Sequence, residues 1–193
     1  MRPFRRLYAR VMAWSRHPRA PWLLGLLSFA ESSFFPVPPD VMLAPMALAR
    51  PQRAWRLAAL TTAASVAGGI AGYAIGALAF DLVAPWLERA GYWEAYLQAR
   101  TWFARHGLWV ILLAGFSPIP YKVFTIAAGV AGMPLVPFVA GSVAGRGGRF
   151  FLVAGLMRLG GARMEAALHR WVDGLGWGMV AAAAVLWLVL RGG

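Results

Sequence analysis

The chain has 193 residues, of which 60% are hydrophobic and 13% charged, against roughly 25% charged in a soluble globular domain. A formal charge of +12 spread over arginines that long uncharged runs separate excludes an ordinary soluble domain and a basic nucleic-acid-binding fold. Zero cysteines exclude disulfides, thiolate catalysis and cysteine metal sites. What remains is an all-α polytopic membrane protein, expected to bind membrane lipids with anionic headgroups and no nucleic acid.

Residues 1–20 carry six arginines and no acid, as a basic cytoplasmic amino-terminal segment would. An acid-free, arginine-rich start also fits a mitochondrial presequence. A cleaved signal peptide fits less well, because the following apolar run meets Glu31 and a proline cluster with no small-residue cleavage site. From residue 21 to 193 the chain reads as a single membrane domain. Its first part, about 21–49, is long enough to cross, yet Pro36, Pro38, Pro39 and Pro45 remove amide donors near the middle. Two short arms meeting at a proline turn, a re-entrant hairpin, fit better than a span.

A span is expected over about 57–83. Leu57 to Phe80 is 24 residues without a charge, about 36 Å as a helix against a hydrocarbon core of about 30 Å. Gly68, Gly72 and Gly76 form a small-residue row inviting close packing of a neighbouring helix. Over about 86–105, Trp86, Ala90, Trp93 and Leu97 share a helical face among charged residues, which predicts an interfacial helix, a plain polar loop being the alternative. Gly107 to Gly145 holds Lys122 as its sole charge across 39 residues, about 58 Å if helical, so the chain must reverse within it. That predicts a second hairpin over about 107–133, a span over about 134–157 and a last span over about 171–190.

Self-comparison uncovers an internal repeat. Phe34-Phe35-Pro36-Val37-Pro38-Pro39-Asp40-Val41 matches Phe116-Ser117-Pro118-Ile119-Pro120-Tyr121-Lys122-Val123 at an offset of 82 residues. An acid in the first copy, Asp40, becomes a base in the second, Lys122. A hairpin returns to its own side and a span crosses, so each unit of hairpin plus span crosses once and the second unit must be inverted. The expected fold is therefore two inverted repeats, an interfacial helix between them and a final carboxy-terminal transmembrane helix. Pro-broken segments in matching positions are the usual sequence pointer to a transporter's binding site.

Five ionisable residues fall at membrane depth: Glu31, Asp40, Lys122, Arg146 and Arg149. An isolated base at a helix centre costs about 2.5–3.5 kcal/mol on insertion scales, so the set needs partners or a task. Two acids against three bases leave a net positive site suited to a lipid phosphate, with proton exchange on the acids a further expectation; a structural salt-bridge cluster is the alternative. In Gly145-Arg146-Gly147-Gly148-Arg149 the planar guanidinium groups suit phosphate oxygens. The glycines would either admit a headgroup or hairpin turn to the backbone or form a kink between two short helices. His17, His106 and His169 stand apart near segment ends, with no metal or hydrolase spacing. No enzyme activity, cofactor or metal is expected.

Glu31 through Asp40, Phe116 through Met133 and Gly145 through Phe150 resemble the DedA family, its YqaA-like branch in particular. Its members carry the VTT domain, also called SNARE-associated Golgi protein. The resemblance implies a bacterial inner-membrane protein, amino terminus cytoplasmic, with two opposed re-entrant hairpins bearing acids at Glu31 and Asp40. It also implies a flippase or scramblase for undecaprenyl phosphate or phospholipid. The family's second hairpin usually carries two arginines, and here their positions hold Gly115 and Tyr121, with Lys122 one residue later. Two other functions stay open, a proton-coupled small-cation exporter and a structural or assembly protein, as does a homo-oligomeric state.

Overall fold

The computed structural model describes residues 17–33, 37–116 and 121–161. Most of the basic segment 1–20, the turn prolines Pro36, Pro118 and Pro120, and the expected last span over 171–190 lie outside the described residues. Among those described there is helix and no strand. The helices are α1 (Ala20–Ser33), α2 (Asp40–Ala49), α3 (Ala54–Arg89), α4 (Trp93–Phe116), α5 (Tyr121–Val130) and α6, which runs over residues 135–161. A 3-10 turn, Pro51–Arg53, leads into α3.

The Pro38-Pro39 pair starts a helix. Pro38 and Pro39 cannot donate, but their carbonyls accept the first amides of α2: Val41 N to Pro38 O at 3.3 Å and Leu43 N to Pro39 O at 2.8 Å. Asp40 then sits in the first turn, where the helix dipole favours an acid. With 14 residues, α1 is about 21 Å long, and the ten-residue α2 and α5 are about 15 Å, so none of the three reaches across a hydrocarbon core of about 30 Å.

Pro51–Leu82, 32 residues of mean hydropathy 1.6, is the stretch among the described residues long and apolar enough to cross a membrane. In α6 three arginines, Arg146, Arg149 and Arg158, lower the hydropathy. Trp22, Leu78, Leu82, Val136 and Leu159 are each at least 78% exposed, an outer surface suited to lipid chains.

The segment expected to form one interfacial helix over 86–105 is divided instead. Helix α3 continues through Pro85 to Arg89, and α4 begins at Trp93. Gly91 adopts φ +74°, which lets Tyr92 N reach Leu87 O at 2.9 Å and Gly91 N reach Glu88 O at 3.2 Å. This is the paired-bond stop that a left-handed glycine permits. Gly132, φ +62°, closes α5 in the same way, with Met133 N on Ala128 O and Gly132 N on Gly129 O, both at 3.0 Å.

Helix directions follow from the contacts. Ser28 donates to Thr61 O and Ser33 to Gly68 O, so α1 lies parallel to α3. Gly141 lies against Leu108 and Gly148 against Phe116, so α6 lies parallel to α4. Arg146 meets Ser65 while Gly155 meets Trp55, so α6 and α3 run antiparallel. One apolar cluster joins Leu24, Leu43, Leu57, Phe150 and Met157. A second, towards the other end of α3, joins Ile111, Tyr121, Ala128, Met133 and Phe138.

The glycine row of α3 receives two helices, where the sequence suggests one neighbour. A methyl group at Gly68 would overlap the carbonyl of Phe29 on α1, and one at Gly76 would overlap that of Ile126 on α5. At Gly72 it would meet both Thr125 Oγ1 and, at 3.2 Å, Ser32 O. Both hairpins thus rest on one helix by backbone contact, the approach small residues allow inside membranes.

Candidate functional site

The tips of the two hairpins meet halfway along α3, where Thr125 Oγ1 of α5 donates to Ser32 O of α1 at 3.3 Å and to Lys122 O at 2.9 Å. Glu31 sits in the last turn of α1, eleven residues or about 16 Å from the helix start. Asp40 opens α2. Opposite them, Arg146 and Arg149 are three residues apart on α6 and therefore share a face.

Arg146, 2% exposed, is enclosed. Its Nη2 donates to Glu31 Oε2, and its Nε donates to Ser65 Oγ at 2.6 Å. Ser32 donates its single hydroxyl proton to Glu31 Oε2 at 3.2 Å, which makes Ser65 the donor to Ser32 Oγ at 2.7 Å. The four side chains close a ring. Aromatic rings cover the cation, Phe150 with its centroid 4.6 Å and Tyr121 with its centroid 5.1 Å from the guanidinium carbon. The Tyr121 hydroxyl donates to Ser142 Oγ, which in turn donates to Phe138 O at 2.7 Å.

The second pair is more open. Arg149 Nη2 donates to Asp40 Oδ2 at 2.7 Å, with the side chains 22% and 21% exposed. Asp40 Oδ1 is buried and accepts no hydrogen bond, an arrangement that costs about 1–3 kcal/mol. Lys122 lies half-buried in the first turn of α5, beside the fully buried Tyr121.

Of the expected residues, Glu31, Asp40, Arg146 and Arg149 are thus brought together as two crossed pairs, each joining hairpin 1 to α6. Pro38 and Pro39 contribute carbonyls to the start of α2. In the glycine-rich segment α6 runs unbroken, so the kink is absent. A methyl group at Gly145 would overlap the Leu112 carbonyl of α4, whereas at Gly148 it would meet Phe116 at an ordinary 3.8 Å. Ser32, Ser65, Tyr121, Thr125 and Ser142 were not among the expected residues. Their signal is that each is a polar group inside an apolar stretch, which has to find a partner there. Among the described residues no cluster of histidines and carboxylates could hold a metal.

The model of the VTT domain family matches residues 37–159. A protein of Haemophilus influenzae, described as uncharacterized, is 44% identical over 191 residues, 99% of this chain and all of that protein. An uncharacterized protein of Histophilus somni is 41% identical over the same shares of both chains. No solved structure matches.

Proposed function

The chain belongs to the VTT domain family, the DedA family of membrane proteins, and from that membership we propose that it moves a phosphate-bearing lipid across a bacterial inner membrane. The observation that carries the reading is the partly exposed Asp40–Arg149 pair at the meeting point of the two hairpins. Two units, each a hairpin followed by a long helix of opposite direction, give an inverted repeat that can present this point to either leaflet. The arginine-rich amino terminus lies in the cytoplasm in this reading.

A headgroup phosphate displaces Asp40 from Arg149 and takes up its fork of donors, with Lys122 supplying a second charge from the other hairpin. The displaced carboxylate then accepts a donor from the headgroup. Arg146 serves differently from Arg149. Enclosed by Glu31, Ser65, Tyr121 and Phe150, it holds hairpin 1 and hairpin 2 against α6 and stays out of reach of the lipid. The acyl chains remain in the bilayer throughout.

The test is movement of fluorescent phosphatidylglycerol between leaflets of vesicles containing the purified protein. Arg149→Gln removes a charge-assisted hydrogen bond of roughly 1.5–3 kcal/mol, so movement falls about ten-fold or more. Unchanged movement in both Arg149→Gln and Lys122→Ala removes these roles. A second reading, a proton-coupled exporter of small cations, draws on the unsatisfied Asp40 Oδ1. Cation flux in vesicles that show no lipid movement selects it.

A further inference from the structure

Helix α4 carries a second set of polar groups, outside the hairpin tips. Gln98, Thr101, Trp102, Arg105 and His106, with Leu97 behind them, line a groove on its surface. The Trp102 and His106 rings lie 5.5 Å apart. None of the described side chains pairs with Arg105. Glu94, the acid on the same face, stands eleven residues away, about 16 Å along the helix. The groove is therefore a basic and donor-rich patch with an aromatic wall.

Its position along the helix gives it meaning. Charged residues occur on α4 up to Arg105, and from Gly107 to Phe116 there are none, so the boundary between headgroups and hydrocarbon crosses α4 at the groove. Below it, Trp109 at 62%, Leu113 at 65% and Phe116 at 49% exposure continue the same face at spacings of four and three residues. From Arg105 to Phe116 is eleven residues, about 16 Å, which matches one leaflet of a hydrocarbon core of about 30 Å. The stripe ends beside Gly148, between Arg146 and Arg149 of α6.

We propose that this groove is a binding site for an anionic phospholipid, its phosphate held by Arg105 and His106 and one acyl chain laid along Trp109, Leu113 and Phe116. The arginine and ring N–H groups donate to phosphate oxygens, Gln98 and Thr101 face the polar part of the headgroup, and Trp102 sits at headgroup level, as amphipathic rings do. The chain sits where a leaflet's lipid would stand, with its end at the hairpin tips. The site rests on the membrane reading, and its existence does not depend on lipid movement.

The experiment is native mass spectrometry of the full chain released from mild detergent with added phosphatidylglycerol or phosphatidylcholine. The wild-type protein is expected to retain phosphatidylglycerol preferentially. Arg105→Gln should lower that retention about five-fold, the effect of one basic residue at an anionic headgroup, and leave phosphatidylcholine retention unchanged. Arg100→Gln, also exposed but outside the lining of the groove, should leave both unchanged. Equal losses in the two variants, or no loss in Arg105→Gln, overturn the site. Lipid-movement assays on the same samples keep the two proposals apart: absent movement in wild type with retained, Arg105-dependent phosphatidylglycerol ends the transport reading and leaves this one standing.

Discussion

Glu31–Arg146 and Asp40–Arg149 use the same two chemical groups, join the same hairpin to the same helix and lie one turn apart, yet their surroundings differ. Arg146 donates to two partners and is covered by two rings. Arg149 and Asp40 keep about a fifth of their side-chain surface, and one carboxylate oxygen stays unsatisfied. A desolvated pair acts as a fastener, because breaking it strands a charge where nothing replaces its partner. A partly wetted pair can exchange partners at low cost. In the proposed function, the two jobs of the charged centre, holding the hairpins and meeting a ligand, are divided between neighbouring turns of α6.

The contrast can be broken most forcefully at the closed pair. Glu31→Gln leaves Arg146 charged and buried, and should destabilise the protein by about 3–5 kcal/mol, read as a lower thermal midpoint in detergent. Adding Arg146→Met to it should restore more than half of the loss, since an apolar residue needs no partner there. Full stability in Glu31→Gln would mean that the ring of hydrogen bonds holds nothing.

Packing on either side gives the next effect. Gly72→Ala pushes a methyl into Thr125 and Ser32, the support of the closed pair, and should cost about 1–3 kcal/mol. Gly148→Ala, beside the open pair with its nearest neighbour at 3.8 Å, should be neutral or gain up to about 1 kcal/mol from helix propensity. Equal midpoints for the two alanine variants would show that the two sides are packed alike. A similarly small change in stability is expected from Asp40→Asn, below about 1 kcal/mol, while lipid movement should drop as far as in Arg149→Gln. A large fall in the midpoint would make the open pair a fastener as well.

Much of the fold was legible because prolines and charges punctuate the chain. Pro38-Pro39 marks the start of α2, and the uncharged run after Arg56 marks the body of α3. The division at Ala90–Tyr92 was hidden because Trp86, Ala90, Trp93 and Leu97 keep a helical spacing straight across the break. Gly91 was the available signal, and its left-handed backbone is what overrides the periodicity. For the charged centre, the residues were legible and their pairing was not. Polarity at membrane depth singles out Glu31, Asp40, Arg146 and Arg149, whereas which acid faces which arginine depends on α6 running antiparallel to α3. The sealing of Arg146 depends on Tyr121 and Phe150, whose rings look like ordinary core in the sequence.

The single helix that carries both hairpins also sets their angular phase. Gly68 seats α1 and Gly76 seats α5, so the eight-residue spacing between them acts as a dial that fixes where each hairpin points around the axis of α3. One residue inserted after Ile70 would turn everything beyond it by about 100° and advance it by about 1.5 Å. Each hairpin would keep its own seat, but Thr125 would swing away from Ser32, and the Tyr121 ring would leave the face of Arg146. The spacing of the two seats, and not only their glycines, is what the meeting of the tips requires.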